Sequence, residues 1–239
     1  MARVLITGSS DGLGLAAGQR LIDQGHEVVL HARSDARADD TRGAAPGAAA
    51  VLVGDLSSDE QTRALADAAN ASGRFDAVVH NAGVGSGSAG LLAVNVLAPY
   101  LLTALLRRPD RLVYLSSGMH RSGRADLAQL DHPSYGDTKL IDAALAAAVA
   151  RRWPDVLSNA VDPGWIATRM GGAGAPGGLE EGAATQVWLA VGDDPGATVS
   201  GRYLKDLREE RPAPGVTDER FQDALLDELA RRTGVPLPE

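Results

Sequence analysis

Short apolar runs rich in β-branched residues recur along the chain, each closed by glycine, aspartate or serine. Residues 3–7, 27–32, 49–53, 76–80, 111–116, 156–161 and 201–204 have this form and are predicted as strands. Runs this brief and this continuously apolar suit strands covered on both faces. Between them, residues 12–24, 58–71, 90–106, 135–153 and 179–191 repeat apolar side chains at helical spacing. A terminal amphipathic helix is predicted over 217–233, with Phe221, Leu225, Leu226 and Leu229 on one face. Strands alternating with helices in this way predict an α/β fold, a parallel sheet with helices on both faces.

No stretch reads as a linker. Residues 42–50 are rich in alanine and glycine but short, and residues 170–178 read as a mobile loop rather than a boundary. No internal repeat is present. Residues 1–239 are therefore expected to form one domain, for which the length is suitable.

Composition narrows the function classes. A hydrophobic fraction of 44% excludes a disordered chain, and aromatic residues at only 4% imply closely packed helices rich in alanine and glycine. A net charge of −8 argues against nucleic acid as a partner. The chain has no cysteine, which excludes disulfides, thiolate catalysis and cysteine-ligated metals, and no metal site is expected. No signal peptide is recognisable, and no apolar run reaches the roughly 18 residues of a membrane helix. The expected location is cytoplasmic, with no membrane partner.

The first candidate site follows the first strand. Thr7-Gly8-Ser9-Ser10-Asp11-Gly12-Leu13-Gly14 opens the first helix. Glycines allow a tight turn and close approach to a pyrophosphate, whose charge then rests on the helix N-terminus. The spacing G-x-x-x-G-x-G differs from the commoner G-x-G-x-x-G, and a purely structural turn is the competing reading. The second strand ends Leu30-His31-Ala32-Arg33, without the carboxylate that binds ribose hydroxyls in NAD-preferring sites. Arg33 is suited to a 2′-phosphate, with Ser34 and Arg37 as helpers, so NADP(H) is favoured over NAD(H). Arg33 can also be read as an ordinary surface arginine. Asp55-Leu56, after the third strand, suits adenine recognition or simply begins a turn.

The second candidate is Tyr135-Gly136-Asp137-Thr138-Lys139, which places a phenol and an ammonium four apart on one helix face. A nearby cation favours phenolate and so makes tyrosine usable as an acid/base at neutral pH. The preceding strand ends in Ser116-Ser117, at the edge where α/β proteins bind ligands, and one of these hydroxyls is suited to hold a reacting carbonyl oxygen.

Taken in order, Thr7–Gly14, Asp55, His80-Asn81-Ala82-Gly83, Asn95, Ser116-Ser117, Tyr135/Lys139 and Pro163-Gly164-Trp165-Ile166-Ala167-Thr168 resemble the classical short-chain dehydrogenases/reductases. The resemblance spans most of the chain and implies a doubly wound, seven-stranded parallel Rossmann-type sheet. By position, it implies Tyr135 as general acid/base and Lys139 as the residue that activates it and binds the nicotinamide ribose. Ser117, more than Ser116, becomes the substrate-oxygen donor, and Asn95 the residue that orders a relay water. Gly8, Ser10, Asp11, Gly12, Leu13, Gly14, Arg33, Asp55 and Leu56 would line the adenosine and pyrophosphate side. Asn81, Ala82, Gly83, Pro163, Gly164, Ile166 and Thr168 would line the nicotinamide side.

Ser116–His120, Thr138-Lys139-Leu140 and Glu180-Glu181-Gly182-Ala183 are similar to the retinol-dehydrogenase-like and carbonyl-reductase branches. Three positions depart from the family pattern. Asp11 stands where NADP-preferring members often carry a basic residue, His80 where asparagine is usual, and Asp162 where a neutral polar residue or histidine is usual.

The implied activity is carbonyl/alcohol interconversion on a small molecule. A non-catalytic NADP(H)-binding regulator or scaffold is the alternative, and epimerisation or dehydration on the same fold a third reading. The alanines 143, 144, 147 and 148 resemble faces used for homodimers or homotetramers in the family, with packing on the chain's own sheet as the competing reading.

Overall fold

In the computed structural model, which describes residues 1–239, the apolar runs pair into one sheet. Its strands are β1 (Arg3–Ile6), β2 (Glu27–Ala32), β3 (Ala50–Val53), β4 (Ala77–His80), β5 (Arg111–Leu115), β6 (Leu157–Asp162), β7 (Tyr203–Lys205) and β8 (Arg208–Glu210). The spatial order is β3-β2-β1-β4-β5-β6-β7-β8. All neighbours are parallel except β7 and β8, which form an antiparallel hairpin. The sheet therefore has eight strands, where the resemblance implies seven parallel ones. The added strand is the polar Arg208–Glu210 segment, recruited to the exposed edge by a tight turn at Asp206-Leu207.

The helices are α1 (Gly12–Asp23), α2 (Asp35–Ala44), α3 (Asp59–Ala71), α4 (Ala98–Leu105), α5 (Tyr135–Arg152), α6 (Leu179–Val191) and α7 (Glu219–Thr233). The strands feed two cores, because successive side chains point to opposite faces. Val4 and Ile6 of β1 pack with Ala17 and Leu21 of α1 and with Val187 of α6. Leu5, between them, faces the other core with Leu65 of α3, Leu102 of α4, Leu145 of α5 and Leu225 of α7. This is the doubly wound α/β arrangement. The strand order reverses between β1 and β4, and in such sheets the crevice at that reversal is the ligand site.

Two further differences from the sequence reading concern helices, the first being α2, which the sequence reading does not contain. The continuous helix expected over 90–106 is interrupted by a π-helical turn at Ala93–Leu97, centred on Asn95. The alanine face of α5 is filled from within the chain. Ala143, Ala144 and Ala148 are at most 1% exposed, and α5 packs on β5, β6 and α7. No helix is long and apolar enough to cross a membrane.

Candidate active site

The carboxyl ends of β1, β4, β5 and β6 bring the sequence-selected residues to one edge of the sheet. At β1 the chain turns through Gly8, whose φ of +61° is a left-handed value that glycine adopts without strain. A Cβ there would stand 2.6 Å from Cα of Ala82, so the turn lies directly on the end of β4. At Gly14 a Cβ would stand 2.4 Å from Nδ2 of Asn81 and 2.6 Å from the Gly8 carbonyl oxygen. These contacts leave no room for a side chain at either position, so the turn packs directly on the end of β4 and on its own backbone.

Polar side chains hold the turn in place. Asn81 donates from Nδ2 to the carbonyls of Thr7 and Gly8, both at 2.9 Å, and Thr7 Oγ1 accepts from Ala82 N–H at 3.1 Å. His31, absent from the sequence-selected set, proves central. Its Nδ1 accepts from Gly8 N–H at 2.9 Å, so Nε2 carries the proton and donates to the Gly54 carbonyl at 2.8 Å. Burial lowers the pKa of this ring, against the opposing influence of Gly54 and Asp55. A neutral imidazole thus ties β1, β2 and the end of β3 together beneath the turn.

The residues that would select between cofactors divide into free and engaged groups. Arg33 is exposed just beyond β2. Arg37, by contrast, donates from one guanidinium nitrogen to Ser10 O at 3.2 Å and to Asp11 Oδ2 at 2.8 Å. Asp11 also pairs with Arg169 at 3.0 Å, so two guanidinium groups flank its carboxylate. Ser34 caps α2, its oxygen accepting from Arg37 N–H. Asp55 Oδ1 accepts from the amide and hydroxyl of Ser57, which hold its carboxyl below the usual range, while Leu56 is buried.

Tyr135 is the first residue of α5, and the sequence sets that start firmly. Ser134 Oγ accepts from Asp137 N–H at 3.1 Å, and Asp137 Oδ2 accepts from Ser134 N–H at 2.8 Å, a reciprocal capping box. Burial opposes the Asp137 charge, yet hydrogen bonds from Arg124 and Ser134 hold its carboxyl down at about 2. One turn on, Lys139 Nζ lies 5.7 Å from the centre of the Tyr135 ring. It donates to the Leu115 carbonyl at 2.7 Å and to Asp142 Oδ2 at 2.8 Å.

The two serines after β5 part company. Ser116 is buried and donates to the Lys139 carbonyl at 2.6 Å, which engages its only proton. Ser117 accepts from Met119 N–H at 3.2 Å, so its own proton remains for another oxygen. His120 steadies Ser117 from behind. Its Nε2 accepts from Ala213 N–H at 3.1 Å, so Nδ1–H donates to the Ser117 carbonyl at 2.8 Å.

Asn95 is fully buried in the π turn, and its side chain makes three hydrogen bonds. Oδ1 accepts from Val84 N–H, and Nδ2 donates to the Val84 carbonyl and to Thr138 Oγ1. The side chain braces the segment after Gly83. Both Nδ2 protons are used, while Oδ1 keeps a second lone pair.

After β6, Asp162 accepts from Gly164 N–H at 2.9 Å and begins the turn through Pro163. Ile166 and Leu13 both close on Gly182, and the Thr168 side chain lies against Gly12, its hydroxyl oxygen accepting from Gly171 N–H. The loop thereby rests on the glycine turn. Met119, Trp165 and Met170 remain exposed on the segments after β5 and β6.

A glycine-rich turn at the topological switch point, on the same sheet edge as a tyrosine–lysine pair, is the arrangement of a dinucleotide-dependent α/β oxidoreductase. The chain belongs to the short chain dehydrogenase family, which it matches over residues 2–175. It is 44% identical to an uncharacterized oxidoreductase of Emericella nidulans, covering 100% of this chain and 99% of the relative. It is 40% identical to the short-chain dehydrogenase chyC of Penicillium rubens, covering 100% of both. Among solved structures, a blue fluorescent protein from a metagenomic library, in complex with NADPH, shares the fold with a TM-score of 0.72 at 24% identity, covering 85% of this chain and 95% of that one.

Proposed function

We propose that this chain interconverts a carbonyl compound and the corresponding alcohol, using NADP(H) in preference to NAD(H). The observation that carries the reading is the Tyr135–Lys139 pair on the same sheet edge as Ser117, whose proton is free. When bound, the dinucleotide supplies or takes up the hydride. Tyr135 donates a proton to the substrate oxygen in reduction and accepts it in oxidation. Ser117 donates a hydrogen bond to that same oxygen and so holds it as negative charge develops. Lys139 favours the phenolate by its charge and presents its remaining N–H toward the nicotinamide ribose.

Gly8, Gly12 and Gly14 would hold the pyrophosphate, with Ser10, Asp11 and Leu13 around it, and Asp55 and Leu56 would border the adenine. Asn81, Ala82 and Gly83 would line the nicotinamide side, facing Pro163, Gly164, Ile166 and Thr168. The missing carboxylate after β2 and the exposed Arg33 support the phosphorylated cofactor, as does NADPH in the structural relative. The apolar rim of Met119, Trp165 and Met170 favours a substrate with an apolar body.

The test is turnover of NADPH, followed by absorbance, with a panel of ketones and aldehydes. Tyr135→Phe should abolish it, and turnover that survives would overturn the mechanism. NADPH binding with no turnover across a broad panel would instead favour a regulator or scaffold.

A further inference from the structure

Lys139 does not stand alone under the site. Its ammonium has three donors, and two are engaged by the Leu115 carbonyl at 2.7 Å and Asp142 Oδ2 at 2.8 Å. Both members of the ion pair are buried, Lys139 at 4% and Asp142 at 3% exposed. The ammonium lies 3.6 Å from where a Cβ on Gly83 would stand, so it reaches the floor of the nicotinamide side. Asp142 follows Lys139 by three residues on α5, on the helix's buried side.

The other titratable groups bearing on the pair are Tyr135 on the same helix and Tyr114 of β5. Behind Tyr114 stacks His80 of β4, 4.7 Å between ring centres. The π turn contributes only the neutral Asn95. Burial works against both charges of the pair. Asp142's carboxylate nevertheless holds the Lys139 proton on more firmly, whereas Asp142 itself is pushed up to about 6.

With Asp142 ionised, the cluster of Tyr135, Lys139 and Asp142 is neutral before it gives up a proton and negative afterwards. Without that carboxylate it would pass from positive to neutral. Proton loss is easier in the second case, whether the proton leaves the phenol or the ammonium. We propose that Asp142 is a positioning residue of the site: its carboxylate seats the Lys139 ammonium against the Leu115 carbonyl and makes the Tyr135–Lys139 pair hold its proton to higher pH. This rests on the reading of Tyr135 as the acid/base. The unit that tunes the phenol is then a triplet, with Asp142 opposing part of the lysine's influence.

Asp142→Asn tests this, because the amide oxygen can still accept from Lys139 while the charge is removed. The readout is the titration of Tyr135 in ring-labelled protein by NMR, without cofactor, with Tyr135→Phe assigning the resonance. Burial pushes the other three tyrosines upward, Tyr100 to about 12. The expected result is a Tyr135 midpoint lower by about one pH unit or more. In alcohol oxidation the midpoint of the rise in kcat/KM with pH should fall equally, and Asp142→Glu should keep it close to the wild-type value.

An unchanged or raised midpoint in folded Asp142→Asn overturns the proposal. If that variant does not fold, the wild-type protein decides: Lys139 Nζ must respond by NMR as Asp142 titrates, and no response overturns the proposal. Failure of the underlying mechanism is distinct, since it appears as turnover surviving in Tyr135→Phe.

Discussion

Replacing His80 by asparagine should make this protein less sensitive to acid. His80 ends β4 and is 3% exposed. Its protonation state follows from a neighbour, Thr103. The Thr103 hydroxyl lies 2.7 Å from the Pro99 carbonyl, 2.7 Å from the Tyr114 hydroxyl and 3.1 Å from His80 Nε2. A carbonyl only accepts, so Thr103's single proton goes to Pro99. Tyr114 must then donate to Thr103, and His80 must carry its proton on Nε2. Nδ1 faces no partner. A proton added there would bring an unpaired charge into the core, and burial accordingly drives the pKa down to about 3.

The folded pKa lies below the unfolded value of about 6.5. The unfolded chain therefore binds a proton below pH 6.5 that the folded chain refuses until near pH 3. Stability from this group is fully present above pH 6.5 and is lost as pH falls, at about 1.4 kcal/mol per unit. Between pH 6.5 and 4.5 the loss is about 3 kcal/mol. His31 adds to it with the same sign, because burial lowers its pKa too. His80→Asn removes only the His80 share. It should also lower stability at pH 7.5 by about 1–3 kcal/mol, because Thr103 loses a donor and Tyr114 a stacking partner. Urea unfolding at pH 7.5 and pH 4.5, on both proteins, separates the two effects. The acid loss of the variant should be smaller by about 2–3 kcal/mol. An equal acid loss in both proteins would refute the reasoning, because His80 would then titrate alike in the folded and unfolded states.

Gly8→Ala must combine a φ of +61° with a Cβ 2.6 Å from Ala82 Cα, and should cost about 3 kcal/mol in urea unfolding and weaken NADPH binding measured by fluorescence. Arg33→Ala should weaken NADPH roughly 10–100-fold with little effect on NADH; Arg37→Ala, which frees the glycine turn from α2, should weaken both alike in the same titration. Ser116→Ala should cost about 1–2 kcal/mol of stability and keep turnover, while Ser117→Ala should lower kcat/KM roughly a hundredfold and keep stability. Removing residues 235–239 takes away the carbonyls that accept from Tyr100 at 2.8 Å and Trp153 at 2.7 Å. It should lower the urea midpoint and shift tryptophan emission to the red.

What could be read from the chain, and what could not, follows from whether the cause is local. The glycine turn and the Tyr135–Lys139 pair are visible because their geometry is set by residues close in sequence. The hairpin β7–β8 is hidden. Arg208–Glu210 has no apolar alternation, and its turn uses Asp206 and Leu207 at φ of 49° and 61°, where Asn-Gly would have been the signal. Helix α2 buries only Ala38 and Thr41, so it has almost no apolar stripe to detect. The π turn is hidden because apolar residues continue regularly through 90–106, and its distinguishing contact runs from Asn95 to Val84 across a loop. His31 and Asp142 are single polar letters in apolar or alanine-rich runs. Their partners, Gly8 and Gly54 for one and a lysine fixed on Leu115 for the other, depend on the folded arrangement.

The two serines illustrate a division that extends across the site. Ser116, Asn81, His31 and Asn95 are polar and close to the proposed chemistry, yet their hydrogen bonds go to neighbouring segments, to backbone groups in every case but the Asn95 bond to Thr138 Oγ1. They fix strand ends and turns to within the small distances that proximity effects demand. Under the proposed function, Ser117 and Arg33 instead keep donors for a ligand, and Tyr135 stands at the helix start that the Ser134–Asp137 box defines. A variant of the first class should therefore lose stability first, and ligand interactions only as far as the segment it holds shifts. A variant of the second should keep the fold and lose one step. Under the same proposal Lys139 belongs to both classes, with two donors on the scaffold and a third left for the cofactor. This is why its buried partner Asp142 has a route to the chemistry that Ser116, bonded to the same residue's carbonyl, does not.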